Sequence, residues 1–119
     1  MNKKYKEVFV NAEPVLTKED KAQWIGALRS GKYKQGFEVF VEEAKIDGKE
    51  TECLCCLEVY NVLHGGRNAG TTPPSNVVNQ SVLFGYKANL IPHINDENRP
   101  EARDYSNIIP YLELLPTID

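Results

Sequence analysis

Residues 37–54 read Phe37-Glu38-Val39-Phe40-Val41-Glu42-Glu43-Ala44-Lys45-Ile46-Asp47-Gly48-Lys49-Glu50-Thr51-Glu52-Cys53-Leu54, and they decide the fold. Asp47-Gly48 marks a two-residue hairpin turn, because both central positions of a type I′ turn need φ > 0. Upstream, Gly36 opens a β segment in which Phe37, Val39 and Val41 alternate with Glu38, Phe40 and Glu42. Both faces carry apolar groups near Phe40, so this strand is expected to be more than half buried. The returning strand runs from Lys49 to Leu54.

The hairpin is preceded by a helix. Thr17 is placed to cap it, and Glu19 and Asp20 suit the positive end of its dipole. Trp24, Ala27 and Leu28 recur on one face, and Gly31 supplies a stop that tolerates a left-handed backbone. The predicted helix spans residues 18–30. Before it, Val8, Phe9, Val10, Val15 and Leu16 surround Asn11 and Pro14, which reads as a short strand or an extended arm over residues 5–16.

After the hairpin, Cys55–Leu63 fits two readings. Cys56, Tyr60 and Leu63 have helical spacing with Val59 beside them, whereas Leu57, Val59 and Val62 would extend the strand. Gly65-Gly66 ends either one. Residues 65–81 are polar and rich in Gly and Pro, a long loop of the kind that is often functional. Residues 82–90 read as a strand with Gly85 as a bulge, and Ile91–Asp96 as the lead into a charged connector. In the tail, Ile108, Ile109, Leu112 and Leu115 predict a last helix, with Ser106 as cap, Pro110 in its first turn and Pro116 as its stop. The fold class is α+β: a small antiparallel sheet packed with two or three short helices, as one domain over residues 1–119.

Composition narrows the function. The net charge of −3 over 119 residues, with no basic run longer than Lys3-Lys4, argues against a dedicated nucleic-acid binder. Lys21, Arg29, Lys32 and Lys34 lie close together and read as a solvated helix end. No apolar run approaches the ~18 residues of a membrane helix, and no apolar segment follows Met1–Glu7 as in a secretory signal. Three cysteines within four positions read as reduced thiols, which sets the expected location as the cytoplasm.

Three segments resemble a group of small uncharacterised phage and prophage proteins. These are Trp24–Gly36, matching W-x-x-A-L-R-S-G-x-Y-x-Q-G; Cys55-Cys56-Leu57-Glu58-Val59, against C-C-L-G-V; and Asn95-Asp96 followed by Tyr105, Ile108, Ile109, Tyr111 and Leu112, against L-N-D and F-x-x-I-A-x-x-I. Glu58 stands where the group has Gly, Ile94 where it has Leu, and Pro110 where a helix former is usual. The resemblance implies a host-cell cytoplasmic setting and a helix after the strand at Cys55. It implies no activity.

Several residue sets have chemistry to offer. Cys53 and Cys56 have C-x₂-C spacing, with His64 and His93 as further metal ligands, although no second Cys pair completes a zinc pattern. Cys55 or Cys56 at a helix N-terminus would have a lowered thiol pKa and could act as a nucleophile with either His. The bland reading makes the three cysteines buried packing. Arg67, Asn68, Thr71, Thr72 and Asn76 lie in the Gly-rich stretch, where backbone N–H groups and Arg67 could hold an anionic small molecule or nucleotide. No nucleotide-binding motif is present there. The carboxylates Glu42-Glu43, Glu50, Glu52, Asp96-Glu97 and Glu101 read as solvated. No catalytic constellation and no cofactor are expected. The leading expectation is a non-catalytic module that binds a host protein, followed by a small-molecule sequestering protein with a possible homo-oligomer interface, then a thiol enzyme or metal protein.

Overall fold

The computed structural model describes residues 1–64 and 87–119. It is an α+β structure in which a small sheet packs against short helices, as the sequence leads one to expect. The elements are α1 (Lys3–Val10), α2 (Lys18–Arg29), β1 (Lys34–Gln35), β2 (Val41–Ile46), β3 (Lys49–Leu54), α3 (Cys56–Leu63), α4 (Lys87–Asp96) and α5 (Ile109–Leu112).

The hairpin forms where its turn residues place it. β2 and β3 pair antiparallel from Val41↔Leu54 to Ile46↔Lys49. Asp47 and Gly48 both take positive φ, as a type I′ turn requires. The β segment is shorter than its alternation suggests: residues 37–40 lie outside the ladder, and the strand begins at Val41. Phe37 is buried outside the ladder, under the guanidiniums of Arg99 and Arg103 at 5.0 and 5.1 Å from its ring. The sheet is also mixed rather than purely antiparallel. The two-residue β1 lies parallel to β3, with Lys34 opposite Cys53 and Gln35 opposite Leu54.

α2 is capped as its sequence signals, with the Thr17 hydroxyl accepting from Asp20 N at 3.0 Å. It ends before Gly31 at φ +80°. Cys55–Leu63 resolves to a helix, with Cys55 as its N-cap. Trp24 joins the two helices: its Nε1 donates to the Cys56 carbonyl at 2.9 Å, and its ring meets Tyr60 edge-on at 5.1 Å.

Three sequence expectations give way. The arm before Pro14 is a helix, because Asn2 Oδ1 accepts from Lys4 N and Tyr5 N and fixes the first turn. Tyr5 and the fully buried Phe9, four residues apart, then pack on Tyr111 at 6.0 and 5.6 Å. Of the strand expected over residues 82–90, residues 82–86 lie outside the described residues and 87–90 are helical; Ile91–Asp96 complete α4 around Pro92. The tail helix shrinks to four residues, Ile109–Leu112, with Pro110 in its first turn, where a missing N–H costs no helix bond. Ser106 does not cap it; Ser106 N instead donates to Asp104 Oδ1.

The core gathers Phe9, Leu16, Trp24, Leu28, Cys56, Val59, Ile91, Tyr105, Ile108 and Leu112. The two ends of the chain close over it. Leu16 bridges to Thr117, and Lys21 Nζ donates to the carbonyls of Glu113 and Leu115 at 2.6 and 2.7 Å.

Gly36 sets the approach of β1 to β3. A Cβ there would lie 2.6 Å from the Cys53 carbonyl oxygen, which is backbone and cannot swing aside. Gly36→Ala should therefore cost about 1–3 kcal/mol. Equilibrium urea unfolding checks this, with Gly26→Ala as a control, because a Cβ at Gly26 meets nothing within 4 Å.

Candidate functional site

The three cysteines border one buried junction, and the centre of that junction is Gln35. This side chain is fully buried. Its Nε2 donates to Asn95 Oδ1 at 3.0 Å, the Asn95 carbonyl at 3.1 Å and Asn107 Oδ1 at 2.9 Å. Its Oε1 accepts from Tyr105 N at 2.8 Å. Its backbone is held as tightly: Gln35 N donates to the Arg103 carbonyl, and Arg103 Nη1 donates to the Gln35 carbonyl at 2.9 Å.

Asn95 extends the network. Its Nδ2 donates to the Gly36 carbonyl at 2.9 Å and to Asp96 Oδ1 at 3.1 Å, and its Oδ1 accepts from Cys56 N at 3.4 Å. Asn107 Nδ2 reaches the carbonyls of Ile94, Asn95 and Glu97. The Tyr105 hydroxyl donates to the Leu54 carbonyl at 2.7 Å. These bonds hold Arg103 and Tyr105 at φ 50° and 63°, a backbone region that is costly for residues other than glycine. The three segments Trp24–Gly36, Cys55–Val59 and Asn95–Leu112 thus meet at this junction.

Beside it lies a small cleft of about 60 Å³, walled by Glu38, Val39, Phe40, Cys55, Pro92 and Asp96. Asp96 Oδ1 accepts from Glu38 N at 3.0 Å. Glu38 takes φ 70° to make that contact, and Arg99 approaches its carboxylate at 3.5 Å.

The cysteines border this region without being activated by it. Cys53, Cys55 and Cys56 are all buried. Cys55 does occupy a helix N-terminus, the place that favours a thiolate. Burial outweighs that effect and pushes its thiol up to about 12, with Glu58 and Asp96 adding to the rise. Burial also holds the Cys56 thiol well above its ordinary range. Cys53 is raised by burial as well, against the pull of Arg103, whose guanidinium is already engaged by Glu42 at 2.8 Å. A protonated thiol is a poor nucleophile and a poor metal ligand.

The histidines sit elsewhere. His64 is the C-cap of α3, its ring 4.2 Å from that of Tyr60. His93 is exposed on α4, where Nε2 meets the Tyr5 hydroxyl at 3.1 Å and Glu97 Oε2 at 2.8 Å. Among the described residues no group of three or more His, Cys, Asp or Glu side chains is placed to hold a metal ion. Arg67, Asn68, Thr71, Thr72 and Asn76 lie outside the described residues. No helix among the described residues is long and apolar enough to cross a membrane.

Sequence reasoning missed Gln35, Asn107 and Arg103 as partners in the network. Gln35 lies 60 to 72 positions from its partners, and no local pattern links them. Compared with protein-family models, curated proteins and solved structures, the chain matches none.

The raised thiols set a pH dependence. Folded Cys55 keeps its proton up to about 12, whereas the unfolded thiol yields it near 9.0. Between those values the unfolded chain binds fewer protons, so stability falls as pH rises, by up to about 1.4 kcal/mol per pH unit for each such thiol. Urea midpoints should be flat below this window and drop through it. Cys55→Ala should lower the neutral-pH midpoint and flatten the alkaline drop; an unchanged alkaline drop would remove Cys55 as a contributor.

Proposed function

We propose that this chain is a non-catalytic binding module, a phage-type protein that engages a host protein through its outer surface. The supporting observation is the withdrawal of its three thiols into the interior, while His93 stays at the surface. The three thiols are buried. Among the described residues, no buried side-chain nitrogen or oxygen lacks a hydrogen-bond partner. A catalytic centre needs a group that is both reachable and incompletely satisfied, poised for the reacting atom. The Gln35 junction is the reverse, a polar cluster whose capacity is spent on joining β1, α4 and the 103–107 segment.

A module of this kind acts by presenting a shaped surface. The resemblance to phage and prophage proteins supplies the setting, a host cytoplasm in which components of host defence are among the available targets. That step is analogy at the level of the group.

The test is affinity capture from bacterial cells with the tagged, folded chain after in-cell cross-linking. The expected result is a host protein recovered in near-stoichiometric amount and displaced by excess untagged chain. Recovery of no displaceable partner at micromolar bait contradicts the reading. Slow labelling of all three cysteines by a thiol reagent in the native chain, and fast labelling in urea, is expected alongside. Fast labelling of a native cysteine would favour a thiol enzyme instead.

A further inference from the structure

The strand order β1-β3-β2 leaves β2 at the edge of the sheet among the described residues. We propose that this edge pairs antiparallel with the same edge of a second copy of the chain, forming a two-fold dimer centred on Ala44.

The phase of the ladder shows which groups the edge offers. Cys55 N donates to the Phe40 carbonyl at 3.1 Å, in line with the β2–β3 register. Hydrogen-bonded pairs alternate in an antiparallel ladder, so Phe40, Glu42, Ala44 and Ile46 direct their backbone groups toward β3. The N–H and C=O groups of Val41, Glu43 and Lys45 therefore point outward. A two-fold axis through the Ala44 pair brings Glu43 of each copy opposite Lys45 of the other. Those are hydrogen-bonding positions on both strands, and the paired side chains share a face.

Charge selects this register over its neighbours. Centring the axis on Glu43 would oppose Glu43 to itself, and centring it on Lys45 would oppose Lys45 to itself. Only the Ala44 centre matches opposite charges twice and puts the small side chain at the axis. Within one chain Glu43 stands opposite Glu52, a like-charged cross-strand pair, while Lys45 stands opposite Glu50. A second copy supplies the cation that Glu43 lacks across the hairpin. Charges on edge strands usually block pairing with other chains. Here the same charges repel strands of unlike pattern and admit a copy of this one. A single strand pair is a small interface, so the dimer is weak and concentration-dependent.

Charge exchange tests the proposal by sedimentation equilibrium of the full chain. The wild type should show reversible dimerisation that weakens with added salt. Glu43→Lys places lysines opposite each other twice and should weaken dimerisation by roughly tenfold or more. Its folding should not suffer, because the introduced cation would then face Glu52 within the chain; a thermal melt at dilute concentration checks this. The double variant Glu43→Lys with Lys45→Glu restores opposite charges across the axis and should recover the dimer. A wild type that stays monomeric up to roughly millimolar concentration, or a Glu43→Lys variant that dimerises as well as wild type, would overturn the proposal.

Discussion

The structure depends on one buried amide. Gln35 sits in a strand of only two residues, too short to hold itself against β3 by ladder bonds alone. Its side chain completes the attachment by bonding to α4 through Asn95 and to the following segment through Asn107 and Tyr105. A buried amide with its donors and acceptor filled contributes a modest net amount, but leaving its partners unpaired is expensive. The network therefore specifies one arrangement of the chain more than it drives collapse, which falls to the apolar core around Trp24, Phe9, Ile91 and Tyr105. Gly36 is part of the same constraint, since only a residue without a side chain lets β1 approach the Cys53 carbonyl.

That arrangement also sets the state of the cysteines. Cys55 and Cys56 lie at a strand-to-helix junction, where a helix dipole could lower a thiol pKa. The sheet, α4 and the Tyr105 segment close over them, and desolvation wins. Asp96, whose charge helps raise both thiols, is occupied with the backbone of Glu38 and the amide of Asn95. The three thiols and the Gln35 amide are thus held inside the fold.

Much of the fold is legible from local signals. The Asp47-Gly48 turn, the Thr17 cap and the Gly31 stop each state a backbone geometry that their own residues impose, and each is found. Elsewhere local signals mislead or fall silent. Val8 and Val10 with Pro14 suggest an extended arm, yet Asn2 caps a helix whose stability comes from Phe9 and Tyr5 packing on Tyr111, about a hundred residues away in sequence. Ile91–Asp96, which reads as the lead into a connector, completes a helix with Pro92 inside it. The Gln35 network was hidden for the same reason. Its bonds span 60 to 72 residues, and no periodicity connects groups so far apart. Gln35, Cys56, Asn95 and Tyr105 lie far apart in the sequence, and only the tertiary structure shows that they meet.

Equilibrium unfolding of Gln35→Met most directly tests the claim that this amide organises the molecule. Methionine keeps the volume and removes the hydrogen-bonding groups, stranding the Tyr105 N–H and leaving Asn95 and Asn107 short of a donor. Each stranded group costs about 1–3 kcal/mol, so a loss of about 3 kcal/mol or more is predicted. A variant within about 0.5 kcal/mol of the wild type, the range of an ordinary surface change, would contradict the account.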